Sequence, residues 1–520
     1  HRLDGIPLAL ELAASRTPVL DVAEIAERLD ERLRLLKAVR RGADPRHSTM
    51  RDTISWSYDL LEPDEQDLFR QLAVFAGSFG LDDAEAVCDT DDVLDVLGRL
   101  SQRSMVSVRR PASGGMRYEM LETLREFGRS RLDEMSSVTL YTRHAHHYTE
   151  LARDTERILQ TADEPTGVER VDRTFADLRA AQGFAIAIDE ADTAPSLITG
   201  IREYAMRTLR YEVFAWADAA AATVAHQPHP LRPTLTAVRA YGAWVRGEFE
   251  RSLELAEDAA DDERAQGLQP LGLAERVRGN VLYMTGDPVG ANEVCESLVP
   301  IAEASGNDAR LAHAFYMSSI SRISTGDIEG ARVRYESAFE AARRSGSPTD
   351  LASAWTAKGF ATLDDDPAAL DAFAAADRIA RSAGNRWMSA FASTEASSLR
   401  VCMGDLERGS HGLARTVDTW YRAGEWAQQW LTLSRCIIAL DRLGRHELAA
   451  QVLGAIECHT TVEAGPCMPT VRDSALATRD QLIERLGEDR SAELRHQGEE
   501  LALPDLVQRA RDGLLGRDGD

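Results

Sequence analysis

Between Arg51 and Met135 the apolar residues fall first at helical and then at strand spacing. Thr53–Tyr58 leads into Leu60 and Leu61 and the break Glu62-Pro63-Asp64. Glu65 to Phe75 then sets Leu68, Phe69, Leu72 and Phe75 on one helical face. After Gly77 and Gly80, Leu81–Cys88 predicts a short third helix. Asp92–Ser104 predicts a fourth, with Val93, Leu94, Val96, Leu97 and Leu100 as its apolar side. Met105–Val108 and Met116–Met120 alternate as strands do, around Pro111-Ala112-Ser113-Gly114-Gly115, and a closing helix follows. From Ser136 to about Pro230 the spacing is helical throughout, with Phe175, Leu178, Phe184 and Ile188 as core positions. Pro228-His229-Pro230 and Arg232-Pro233 mark a boundary.

Beyond that boundary the chain repeats. Helix-ending turns fall at Gly247-Glu248, Gly286-Asp287, Gly326-Asp327, Asp365-Asp366, Gly404-Asp405 and Gly444-Arg445, spaced by 39, 40, 39, 39 and 40 residues. A second series, Gly267, Gly306, Gly346, Gly384 and Gly424, steps by 39, 40, 38 and 40 and lies about 20 residues out of phase. Each period is therefore two helices with a short turn after each. Five residues past the first-series position stands a small residue, Ser252, Ala291, Ala331, Gly409 or Ala449, which lets two helices approach closely. Asp365 breaks the rule with Leu370, as a register slip of one residue would produce. Aromatic residues of the repeats (Tyr241, Trp244, Tyr283, Tyr316, Tyr335, Trp355, Trp387, Trp420, Trp426, Trp430) read mostly as core.

Helices closed by a two-stranded hairpin are the layout of a winged helix. The predicted fold is mainly α: a winged helix-turn-helix domain over 46–135, a helical linker over 136–230, and an α-solenoid of tetratricopeptide-like helix pairs over 231–520. The period exceeds the roughly 34 residues of the standard tetratricopeptide repeat.

A chain of 520 residues calls for several domains. No apolar run approaches the roughly 18–20 residues of a membrane span. The six cysteines, Cys88, Cys295, Cys402, Cys436, Cys458 and Cys467, form no CxxC pair and read as buried thiols of a reducing cytoplasm. The net charge of −25 opposes general affinity for nucleic acid or acidic membranes. Any DNA contact has to be local. The residues available for one are the basic Arg99 and Arg103 with the amide of Gln102 on the fourth helix, and Arg109, Arg110 and Arg117 on the wing. Residues 45–135 carry 11 basic and 18 acidic side chains, a balance of −7 that handicaps phosphate binding.

Other chemistry is sparse. His144, His146 and His147 form the one histidine cluster, and His144 and His147 share a helix face. No acidic or cysteine partner stands at useful spacing, so surface or packing histidines are expected and no metal site. No nucleophile–base pair or paired-carboxylate context stands out, so no catalytic residue is assigned and the chain is expected not to be an enzyme.

Leu3-Asp4-Gly5-Ile6-Pro7-Leu8-Ala9-Leu10 resembles the Gly-Leu-Pro-Leu motif of the NB-ARC, or STAND, nucleotide-switch proteins, with Ile6 for leucine. Arg28–Leu36, Pro45–Arg51 and Trp56-Ser57-Tyr58-Asp59-Leu60-Leu61 resemble the bacterial, actinobacterial branch. The resemblance implies that residues 1–45 are the end of the helical subdomain after a P-loop domain, with Gly5 and Pro7 beside the nucleotide. It implies ATP or ADP for a full-length parent and no cofactor in this chain. The sequence has no Gly-Lys-Ser/Thr, and neither Lys37 nor Lys358 follows a glycine. Where the family has Met-His-Asp after the wing, with a histidine for the nucleotide phosphate, this chain has Met120-Leu121-Glu122. The start at His1 reads as a truncation, and the segment Leu486–Leu506 resembles the usual end of such an array, with no C-terminal helix-turn-helix after it. The implied function is the regulatory part of a signal-transduction or transcriptional regulator. Its repeats sense a protein or small effector, and its winged helix couples to an intramolecular nucleotide-binding domain. The alternative is a transcription factor that reads DNA directly through the winged helix. A cytoplasmic location without membrane contact is expected in either case.

Overall fold

The computed structural model describes residues 50–111, 114–225, 228–459 and 469–517. The chain divides into two compact units, His1–Leu151 with Arg170–Leu197, and Ala152–Glu169 with Ile198–Asp520.

The first unit opens with α1 (Met50–Asp59), α2 (Pro63–Leu72), α3 (Leu81–Val87) and α4 (Val93–Gln102). It continues with β1 (Ser107–Arg109), β2 (Arg117–Glu119) and α5 (Glu122–Arg129), the predicted winged-helix order. Pro63 starts α2 where its missing N–H costs nothing, and the Glu62 N–H donates to Glu65 Oε2 at 2.9 Å. Leu68, Phe69 and Leu72 are fully buried. Tyr58 lies 5.5 Å, centroid to centroid, from each of Phe69 and Phe127, so α1, α2 and α5 share one aromatic core. Val93, Val96, Leu97 and Leu100 of α4 face inward as expected, whereas Leu94 is 54% exposed. Leu94 lies about 100° around the helix from Val93, on the side away from Val96, and so falls outside the buried stripe.

The wing strands pair antiparallel with Val108 opposite Tyr118, and Phe79 exchanges two backbone hydrogen bonds with Tyr118 to add a third rung. The rest of the unit comes from α6 (Glu134–Ile158) as far as Leu151, α7 (Glu164–Ala187) from Arg170 on, and α8 (Thr193–Gly200) as far as Leu197; the remaining residues of these helices belong to the second unit. Phe175 and Leu178 are buried and Phe184 half-buried. Ile188, expected in the core, lies one residue beyond α7 and is exposed.

In the second unit α9 (Arg202–Thr208) and α10 (Glu212–Ala220) precede six helix pairs. These are α11 (Arg232–Val245) with α12 (Phe249–Ala265), α13 (Leu273–Met284) with α14 (Pro288–Ser305), and α15 (Asp308–Ser324) with α16 (Ile328–Ser345). They continue as α17 (Pro348–Ala361) with α18 (Asp366–Ser382), α19 (Arg386–Met403) with α20 (Leu406–Ala423), and α21 (Trp426–Arg442) with α22 (His446–His459). Every glycine of the two predicted series has φ between +63° and +93°, the left-handed region that ends a helix at little cost only for glycine. An aspartate then caps the next helix in four of the pairs: Asp287, Asp327 and Asp405, each directly after its glycine, and Asp365, after Asp364, accept an N–H from three residues on.

Asp365 is thus an N-cap, the turn residue before it is Asp364, and the small buried residue is Ala369 and not Leu370. The slip of one residue is real. Ser252, Ala291, Ala331, Ala369 and Ala449 are buried at helix crossings, and a Cβ on Gly409 would lie 2.6 Å from Val401 Cγ2. Neighbouring helices pack along the whole array, and α11 also packs against α21, where the Phe249 and Trp426 rings lie 5.5 Å apart. The array therefore curls until its first and sixth pairs meet, and α9 packs inside it against α19.

Three more helices, α23 (Pro469–Leu486), α24 (Glu488–Glu499) and α25 (Leu503–Leu514), cover the end. At Gly454 and Gly498 the backbones of α22 and α24 touch: a Cβ would sit 2.0 Å from Arg495 O and 1.9 Å from Gln451 O. Leu506, Val507, Ala510 and Leu514 of α25 complete a core with Leu413, Val417 and Leu440. Among the described residues no helix is long and apolar enough to cross a membrane.

Candidate functional site

The arginines expected to serve DNA binding are mostly engaged within the first unit. Glu65 of α2 is fully buried beneath α4. Its carboxylate accepts from Arg99 Nε at 3.1 Å and pairs with Arg103 Nε at 3.3 Å. Arg99 also pairs with Asp64, and Arg103 donates to Leu60 O at 3.0 Å. On the wing, Arg117 bonds Asp83 at 3.1 Å and donates to Ser78 O, and Arg109 pairs with Glu119 at 2.8 Å. Gln102 and Arg110 are exposed. Gly5 and Pro7 lie outside the described residues. Leu121, at the position where the nucleotide-switch family has its histidine, is the N-cap residue of α5 and carries no hydrogen-bonding group. The residues there do not fit a phosphate contact.

Sequence spacing offered no partners for the histidine cluster, and the fold supplies them. His144 is buried, with Nε2 3.0 Å from Asp177 Oδ1. His147 Nε2 lies 3.0 Å from Asp83 Oδ1. Asp177 also accepts the Ala76 N–H at 2.6 Å and the Gly77 N–H at 3.2 Å. Burial opposes the charge on Asp83, but His147, the Gly80 N–H and Arg117 together hold its carboxyl below the usual range. These partners stand 33 and 64 residues away in sequence, so no local spacing could reveal them. They are structural pairs, and no group of three metal-ligating side chains occurs among the described residues. The thiols divide differently from expectation: Cys88, Cys295 and Cys436 are buried, whereas Cys402 and Cys458 are exposed, and Cys467 lies outside the described residues. Burial pushes Cys88, Cys295 and Cys436 up to about 12, which leaves them unreactive.

The second unit holds the more developed site, a cavity of about 240 Å³ inside the curled array. Helix α9 brings Arg202, Glu203 and Arg207 to its wall, α13 brings Arg276, α15 brings Arg310 and His313, and α19 and α21 bring Glu395 and Arg435. Most of these charges are paired. Arg202 bonds Glu156 at 2.5 Å, Arg276 bonds Glu203 at 3.1 Å, Arg207 pairs with Glu164 at 3.0 Å, and Arg435 bonds Glu395 at 2.5 Å. Burial would raise the Glu203 carboxyl, but Arg276, Arg207 and Arg202 outweigh it and hold it well below the usual range. Burial beside Arg276 drives His313 down to about 3, so its ring is neutral. Tyr241, Trp244, Tyr283, Tyr316 and Trp387 line the same space, so part of the aromatic set read as core forms the cavity wall.

Two buried carboxyls titrate near neutrality. Burial raises Asp350 to about 7 against the opposing charge of Arg207, and raises Glu425 to about 8 against its hydrogen bond from Tyr211. Their unfolded values are near 3.8 and 4.5. Between about pH 4 and pH 8 the folded chain therefore keeps protons that the unfolded chain has released. Stability falls as pH rises through that window and levels off above about 8. The expected loss between pH 5.5 and 8.5 is on the order of 2–4 kcal/mol per carboxyl, read by urea denaturation. Glu425→Gln removes its share of the slope; a profile as steep in the variant as in the parent contradicts the assignment.

Residues 61–133 match the winged helix-turn-helix domain family. A protein of Mycobacterium tuberculosis strain H37Rv, named "Putative HTH-type transcriptional regulator", is 40% identical over 186 residues, 35% of this chain and 21% of its own length. An uncharacterized protein of the same strain is 38% identical over 140 residues, 26% of this chain and 35% of its own length. The matches thus span about a fifth and a third of those relatives. Among solved structures, a STAND protein with a tetratricopeptide repeat sensor from Pyrococcus horikoshii aligns over 94% of this chain and 74% of its own. Its TM-score is 0.46 and its identity 12%. A Rap protein complexed with competence and sporulation factor aligns over 72% and 99%, with TM-score 0.43 and 12% identity. Both are distant helical likenesses. The chain joins a winged helix-turn-helix domain to a tetratricopeptide-like array of helix pairs.

Proposed function

We propose that this chain is the regulatory, non-catalytic part of a signal-transduction or transcriptional regulator. The array takes up a partner or small effector, and the winged helix relays its state to a nucleotide-binding switch elsewhere in the parent protein. The observation that carries this reading is the clasp of Arg99 and Arg103 on the buried Glu65. A recognition helix that reads DNA sends such side chains outward to bases and phosphates. Here they are held by their own domain, in a stretch with a balance of −7. The nucleotide switch rests on the Gly5-Ile6-Pro7-Leu8 resemblance, and an effector needs unequal affinity for two states to drive it.

The second reading, direct DNA binding, is favoured by the names of the relatives and by the exposure of Gln102 and Arg110. Fluorescence anisotropy of the full chain with duplex DNA at physiological salt separates the two. The regulatory reading expects weak binding without sequence preference, a Kd of about 10 μM or above. Tight, sequence-dependent binding that is lost in Arg99→Ala and Arg103→Ala overturns it.

A further inference from the structure

We propose that the cavity inside the repeat array binds a small organic anion, a carboxylate or similar acid carried on a flat apolar body. This deepens the reading that the array takes up an effector, and rests on it.

The wall is cationic in a strongly acidic chain. Arg202, Arg207, Arg276, Arg310 and Arg435 face three wall carboxylates, Glu203, Asp350 and Glu395. Four of the five arginines have the partners given above. Arg310 does not: its guanidinium makes no hydrogen bond or ion pair with any described residue, although it is half-buried. Burial and the nearby Arg202 charge act against it, and the charges of Glu156, Glu203 and Glu263 offset them only in part. A half-buried cation next to another cation carries an electrostatic cost that an incoming anion relieves.

Unmet hydrogen-bonding capacity points the same way. Each buried polar atom of the wall that lacks a partner is a nitrogen, including Arg202 Nε, Trp244 Nε1, Arg276 Nε, His313 Nε2 and Arg435 Nε. Arg310 and His313 stand three residues apart on α15 and so share its inward face. With its ring neutral, His313 can donate through Nε2 without adding charge. An acceptor-rich anion completes this donor set.

The rest of the wall suits a flat apolar body. Trp244, Tyr283, Tyr316, Phe391, Leu298 and Ile301 enclose the space. The volume of about 240 Å³ exceeds the roughly 150 Å³ that takes up benzene and lies below the larger ligand pockets, so it suits one or two fused rings.

The test is calorimetric titration of the full chain with phenylacetate, 1-naphthaleneacetate and indole-3-acetate, each beside its uncharged amide. At least one acid is expected to bind at one per chain and about ten-fold or more tighter than its amide. In Arg310→Gln, which removes an unpaired cation and should melt like the parent, acid and amide are expected to bind equally. Arg310→Lys is expected to keep the preference for the acid. Acids that bind no better than their amides, or a preference that survives Arg310→Gln, overturn the proposal. If acid and amide bind equally, the effector reading stands and the anionic class fails. If neither binds, the cavity is no small-molecule site, and the array remains open to a protein partner.

Discussion

Replacing Glu164 by alanine is expected to destabilise the second unit by about 3–5 kcal/mol. Glu164 is fully buried at the start of α7. One oxygen accepts from Ser347 Oγ at 2.8 Å and from the Thr349 N–H at 2.9 Å, and the other takes the Thr349 hydroxyl and pairs with Arg207 at 3.0 Å. The deletion leaves the start of α17 without these bonds and strands Arg207, itself nine-tenths buried, without its nearest counter-charge. Breaking a buried pair from one side costs far more than the pair contributes, which is why this single change ranks first. Seven of the eight tryptophans lie in the second unit, so urea unfolding followed by tryptophan fluorescence reads it directly. Glu250→Ala, an exposed carboxylate on α12, should change stability by less than about 0.5 kcal/mol. A loss below about 1 kcal/mol for Glu164→Ala contradicts the role assigned to it.

The matching change in the first unit is Asp177→Ala, with an expected loss of about 3–4 kcal/mol. This carboxylate accepts the Ala76 and Gly77 N–H groups and holds His144; the imidazole is buried and the two backbone donors are half-buried. Without it two backbone donors and a buried imidazole lose their acceptor together, and each unmet buried donor costs about 1–3 kcal/mol. Amide exchange at Ala76 and Gly77 should accelerate well beyond that of α4. Unchanged exchange at both residues would mean that the turn after α2 is held by packing alone.

The repeats were the most legible part of the sequence because turn chemistry is local. A glycine at positive φ and an N-capping aspartate follow each other within two residues, so Gly286-Asp287, Gly326-Asp327 and Gly404-Asp405 announce themselves. The single misplaced turn is the one without glycine, where Asp364, Asp365 and Asp366 leave the cap ambiguous until Ala369 is seen to be buried. The winged helix was legible for the same reason, since Pro63, the wing glycines and the alternation around them act over short range.

The sites were harder to read. Glu65 looks like any first-turn carboxylate until α4 covers it, and Asp177 and Asp83 meet their histidines only across helices distant in sequence. The cavity is the extreme case: Gln160, Glu203, Arg276, Arg310 and Glu395 share one wall only because the array curls around α9. Periodicity says which residues face inward, and it does not say which inward charges lack a partner.

The central claim, that the winged-helix arginines serve their own domain and not a duplex, is tested most directly by the salt dependence of DNA binding in the full chain and in Glu65→Gln. That variant keeps an acceptor for the Glu62 N–H and removes the charge that holds Arg99 and Arg103. The account predicts a shallow slope of log K against log salt for the parent, of magnitude about 2 or less, and a slope steeper by about one to two in Glu65→Gln as the arginines are released. A parent chain that already binds with a steep slope, about 5 or more, and does not change in Glu65→Gln would contradict it.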